Sequence, residues 1–106
     1  MISIDQINEI YTRIVQEVNP EKIILFGSYA TGRYNEDSDL DLIIVKDSNL
    51  PKHKRNIEIR RLFYGYLVPM DIKIYTPQEF QQELKNKYSF LSSAIIESKV
   101  LYERKY

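Results

Sequence analysis

Asp39 and Asp41 stand two residues apart at the head of an apolar run, LDLIIV over residues 40–45. On a strand, residues i and i+2 project from one face with Cα atoms about 6.6 Å apart. Carboxylates so placed offer oxygen ligands only, the set preferred by a hard divalent cation such as Mg2+. Ten residues separate Asp39 from Ser28, which with Gly27 closes an earlier apolar run, KIILF over 22–26. A glycine turn into a short helix leaves backbone N–H groups free to meet phosphate oxygens. Gly27 would let such a ligand approach closely, and Ser28 would add a hydroxyl donor. A third acid, Asp71, opens MDIKIY over 70–75 and reaches the same end of the sheet if the strands are neighbours. Three carboxylates about 5 Å apart repel by roughly 3 kcal/mol per pair at an effective dielectric near 20. One or two divalent cations would turn that penalty into coordination, and two such ions can clamp the oxygens of an in-line displacement. Alone, an Asp-x-Asp is common on exposed strands, and Gly-Ser is common at plain strand-to-helix turns. Together they point to nucleotide chemistry.

These residues need a scaffold, and the hydrophobic pattern supplies one. Ile7, Ile10, Tyr11, Ile14 and Val18 recur at helical spacing. Ser3 with Gln6 has the pattern of a capping box, and Asn19-Pro20 ends that first helix. KIILF and LDLIIV read as buried strands, with a short helix after Gly27 that Gly32 terminates. A helix is expected over about 52–67, with an apolar stripe at Ile59, Leu62, Phe63, Tyr66 and Leu67 and a stop at Pro69. MDIKIY alternates as a third strand. Thr76-Pro77-Gln78-Glu79 combines an N-cap, proline at the first helical position and glutamate at the third. Helical segments are expected at about 77–86 and 89–99, with Phe90, Leu91, Ala94, Ile95 and Val100-Leu101 supplying core. The fold class is therefore α/β, a small sheet in a single domain spanning residues 1–106, without repeats or linkers.

Composition narrows the choice further. The 106 residues are 43% hydrophobic and 28% charged, ordinary for a globular chain. The absence of cysteine removes disulfides, thiolate catalysis and cysteine-based zinc sites together. No apolar run approaches the ~20 residues of a membrane span, and MISIDQINEI lacks the features of a signal peptide. A cytoplasmic location is the expectation. Net charge is zero, so no overall field draws a nucleic acid. Acids nevertheless gather over residues 35–47, and bases gather over 52–61 (Lys52, Lys54, Arg55, Arg60, Arg61). That basic stretch is either a solvated face or a partner surface. His53, the single histidine, reads as a surface residue, and none of the nine tyrosines is assigned a role.

GSYATG, SDLDL and MDIKI together resemble the minimal nucleotidyltransferases of the polymerase-β-like superfamily. The resemblance covers nearly the whole chain, including ESKVLYE near its end. It implies a mixed sheet with helices packed against it. It also implies that Asp39, Asp41 and Asp71 are catalytic and hold two Mg2+ ions, while Gly27 and Ser28 bind the triphosphate of ATP. Many members carry arginine where this chain has Thr31; Arg33 either substitutes for it or is a solvated loop residue. Stand-alone minimal nucleotidyltransferases are similar to the antitoxin half of HEPN/MNT pairs, which adds AMP to a tyrosine of a HEPN ribonuclease toxin. That partner and that reaction are what the resemblance implies here. A non-catalytic antitoxin that masks its toxin is the alternative, and transfer to a small molecule would normally require an additional substrate-binding domain.

Overall fold

The computed structural model describes residues 1–105. In chain order its elements are α1 (Ile4–Val18), β1 (Lys22–Phe26), α2 (Ser28–Thr31), β2 (Leu40–Val45), α3 (Ile57–Leu62), β3 (Met70–Tyr75), α4 (Pro77–Leu84), α5 (Phe90–Ile95) and β4 (Lys99–Glu103). The four strands form one mixed sheet in the order β3-β2-β1-β4. β2 runs antiparallel to β1 and parallel to β3, while β4 pairs antiparallel with the other side of β1.

Alternation along each strand assigns its side chains to two layers. Ile23 and Leu25 of β1, Leu40, Leu42 and Ile44 of β2, and Ile74 of β3 pack against Ile10, Ile14 and Val18 of α1 and Ile59 of α3. Ile24, Phe26, Ile43, Val45 and Tyr75 face the opposite way, onto Phe80 of α4 and Leu91 of α5. β1 and β2 are thus covered on both faces, which is why they read as unbroken apolar runs rather than as alternating ones. Each fully buried isoleucine or leucine contributes about 1.5–3 kcal/mol of transfer free energy.

Local signals set the helix boundaries. Ser3 and Gln6 form the expected capping box on α1, and Asn19, left-handed at φ 53°, ends it. Thr76 and Glu79 form the second box, with Pro77 at the first position of α4. Among the described residues no helix is long and apolar enough to cross a membrane.

Three expectations need correction. The single helix over 52–67 is instead a 3-10 turn at Lys52–Lys54 followed by the short α3. Arg55, between the two, donates to the Leu50 and Ile74 carbonyls and makes a bidentate pair with Glu79. Those bonds fix the backbone in a bend. The helix stops early because Gly65 adopts φ 86° and the Tyr66 hydroxyl turns back to Glu9 and Arg13 of α1. Leu67, expected on the core stripe, is consequently 98% exposed. Finally, the helix expected over about 89–99 ends at Ile95: Ser98 N–H bonds back to the Ile95 carbonyl, and Lys99–Glu103 leave as edge strand β4. Val100 there is exposed, as is about half of Phe90, and neither belongs to the core.

Candidate active site

The first strand delivers Gly27 in a conformation, φ 74° and ψ −154°, that is open essentially to glycine alone. The chain then coils at once, with the Ala30 and Thr31 N–H groups both donating to the Gly27 carbonyl. In such a turn the first N–H groups have no acceptor within the helix. The Ser28 hydroxyl has no partner among the described residues. Thr31 spends its hydroxyl on the Ser28 carbonyl, and Gly32, at φ 83°, ends the turn. Arg33 is exposed and pairs with none of the described carboxylates.

Asp41 fits against this turn. In the β1–β2 register it lies opposite Phe26, one residue before Gly27. A Cβ added at Gly27 would fall well inside contact distance of Asp41 Oδ2, with Cγ at 3.0 Å and Cβ at 3.3 Å. The carboxylate therefore occupies the space that a side chain at position 27 would fill. This is the close approach for which glycine is required here.

The parallel pairing of β2 with β3 sets Asp41 directly beside Asp71. Neighbouring strands are about 4.8 Å apart, and partners in register share a face. Asp39 lies on the same face, one residue before β2 begins, and is exposed, while Asp41 and Asp71 are half-buried. All three project on the α4–α5 side of the sheet, at the end where Gly27 turns.

The electrostatics agree with this grouping. The Asp41 carboxyl is raised above its ordinary value, first by burial and then by the charges of Asp71 and Asp39, with Lys73 opposing. Lys73 Nζ lies 3.6 Å from Asp71 Oδ1. No group of three or more Asp, Glu, His or Cys side chains among the described residues is arranged to hold a metal ion as it stands. The donor chemistry fits a divalent cation nonetheless: three hard oxygen donors on one face, two raising the pKa of the third, beside a glycine turn.

All five residues singled out in the sequence, Gly27, Ser28, Asp39, Asp41 and Asp71, thus fall at one end of the sheet, the three acids on its α4–α5 face and the Gly27–Ser28 turn beside Asp41. Reading the sequence missed Lys73, although the alternation that selects Asp71 selects Lys73 equally. It also missed Arg55, whose side chain is only 8% exposed although it lies in the basic stretch. A cavity of about 760 Å³ opens along β3 from Lys73 to Asn86 and Phe90, with His53 among its lining residues.

Comparison with known proteins follows the same lines. Residues 4–102 match the family model of the nucleotidyltransferase domain. Two relatives come from Methanocaldococcus jannaschii, both provisionally named as protein adenylyltransferases. One is 33% identical over 85 residues, covering 80% of this chain and 61% of the relative. The other is 38% identical over 69 residues, covering 64% of this chain and 67% of the relative. The chain thus spans about three-fifths of the length of the first. Among solved structures, a provisionally named nucleotidyltransferase from Sulfolobus solfataricus superposes with a TM-score of 0.61 at 20% identity, over 91% of this chain and 79% of that one. A toxin–antitoxin structure with AMP-PNP gives 0.58 at 20% identity, over 92% and 73%. At that identity the likeness concerns the fold.

Proposed function

This chain belongs to the nucleotidyltransferase domain family, and from that premise we propose that it transfers AMP from ATP to a hydroxyl of a partner protein. The observation that carries the reading is the register Asp41↔Asp71 beside Gly27, which brings three acids to one face next to a glycine turn. In the reaction the acceptor oxygen bonds to the α-phosphorus, the bond from that phosphorus to the bridging oxygen of the β-phosphate breaks, and pyrophosphate leaves. The acceptor's proton passes to a carboxylate, for which Asp71 is the assigned base. Asp39, Asp41 and Asp71 would hold Mg2+, which supplies charge neutralisation at the phosphates. Gly27 and Ser28 would bind the triphosphate through backbone N–H groups and the free hydroxyl. Little else is required, because transfer of this kind depends on positioning and charge stabilisation.

The acceptor is assigned to a protein because the M. jannaschii relatives are named for that activity. The toxin–antitoxin neighbour supports a toxin as partner. The sequence resemblance makes it a HEPN ribonuclease modified on a tyrosine, with both proteins in the cytoplasm. Incubated with ATP and Mg2+, the partner should gain one or more AMP-sized increments by mass spectrometry. The double variant Asp39→Ala, Asp41→Ala should abolish that gain. If the wild-type protein adds no AMP to its partner, the transfer reading is rejected; if the double variant still silences the toxin, neutralisation works by masking.

A further inference from the structure

The acidic face carries one cation for which the proposed transfer has so far no use. Lys73 follows Asp71 by two residues, so the pleat of β3 places both on the face shared with Asp39 and Asp41. Its ammonium lies 3.6 Å from Asp71 Oδ1 and 5.2 Å from the centroid of the Phe90 ring at the start of α5. Lys73 is also the cation that draws the Asp41 carboxyl back down against burial and its two acidic neighbours. Among the described residues, no other lysine or arginine forms an ion pair with these three acids.

We propose that Lys73 is a tethered counter-ion that exchanges partners: it neutralises Asp71 in the cation-free protein and moves to the nucleotide's phosphates once a divalent cation takes Asp71. This rests on the nucleotidyl-transfer reading above. Three observations favour exchange over a fixed structural pair. The side chains of Lys73 and Asp71 are 37% and 47% exposed, so their attraction is weak and easily replaced. An ammonium on a flexible four-carbon stem is a point charge that can be re-aimed without moving backbone. The Phe90 face offers it a resting place over the open cavity that Lys73 and Phe90 both line. A fixed structural lysine would be enclosed; this one stands between the acids and open space.

The exchange predicts shifts of opposite sign for two ligands. Lys73→Met keeps the apolar stem and removes the charge. Without nucleotide, it should bind Mn2+ (a spectroscopic stand-in for Mg2+) about three- to fivefold more tightly, since no ammonium competes for Asp71. In the presence of Mg2+ it should bind ATP about three- to tenfold more weakly, the range of one lost exposed charge contact. Lys73→Arg should stay near wild type in both measurements. Lys46→Met, which removes the same charge from the pair with Glu58 at the far end of β2, should change neither. Calorimetric titration reads both ligands, and thermal melting confirms that the variants are folded. Shifts of the same sign in Lys73→Met, or no shift in either ligand, overturn the proposal. If the wild-type protein binds neither Mn2+ nor ATP, the nucleotidyl-transfer reading itself fails, and the exchange falls with it.

Discussion

Replacing Gly27 by alanine tests the close approach on which the candidate site is built. Two separate costs arise. At φ 74° and ψ −154° an L-residue is strained, which costs about 1–3 kcal/mol. The new methyl also meets Asp41, whose Cγ and Cβ would lie at 3.0 and 3.3 Å with Oδ2 closer still. Forcing one methyl into an occupied space costs about 1–3 kcal/mol. Gly32→Ala separates the two, because Gly32 has a similar φ of 83° but nothing within 4 Å of an added Cβ; it should cost only the left-handed penalty, about 1–2 kcal/mol. For a domain of this size 1 kcal/mol moves the midpoint by about 4–5 °C. Gly27→Ala should therefore lower Tm by about 8–30 °C, and Gly32→Ala by about 4–10 °C. The decisive measurement is a double-mutant cycle between Gly27→Ala and Asp41→Ala, followed by circular dichroism in metal-free buffer. Asp41→Ala removes the two closest atoms, Oδ2 and Cγ, and leaves only the tight 3.3 Å contact with Cβ, so a coupling of about 1–3 kcal/mol is expected. Additivity within about 0.5 kcal/mol, or a Gly27→Ala cost no larger than that of Gly32→Ala, would refute the reasoning.

Two further perturbations follow from charge. The Asp41 carboxyl is raised from 3.8 on folding, so its protonated form favours the folded state. That contribution is complete below 3.8 and is lost as pH rises through the folded value. Asp41→Asn in metal-free protein should raise stability at neutral pH by about 0.5–1 kcal/mol and diminish the stabilising effect of added Mg2+, both read as Tm. The Glu79 carboxyl moves the other way, held at about 2 chiefly by its hydrogen bond to the Arg55 guanidinium. Its stabilisation is present above the ordinary 4.5 and disappears as pH falls toward 2. Because its side chain is 38% exposed, screening limits this to about 1 kcal/mol; Glu79→Gln should flatten the stability curve in that window, measured by urea unfolding from pH 5 to pH 2.

How much of this was legible beforehand depends on the range of the interaction. Features fixed within a few residues were readable: the Ser3–Gln6 and Thr76–Glu79 caps, the glycine turn, and the common face of Asp39 and Asp41. The grouping of Asp71 with them was readable only as a condition, since the register of β3 against β2 is set by pairing across 30 residues. The break before α3 was hidden because its cause, the Arg55–Glu79 pair, joins residues 24 apart in sequence. β4 was hidden because a five-residue edge strand with its valine exposed carries little hydrophobic signal. Lys73 was readable in principle, yet a lysine in an alternating strand ordinarily marks the solvent side.

The β2–β3 register also has a consequence for how the chain finds its shape. If β3 slid by a single residue, Asp71 and Lys73 would rotate into the hydrocarbon layer formed with Ile10, Ile14 and Ile59, while Ile72 and Ile74 would emerge beneath α4 and α5. Inserting a carboxylate and an ammonium into that oily layer is prohibitive. The very groups assigned to chemistry thus serve as a checksum on assembly, because a mispaired sheet cannot hide them.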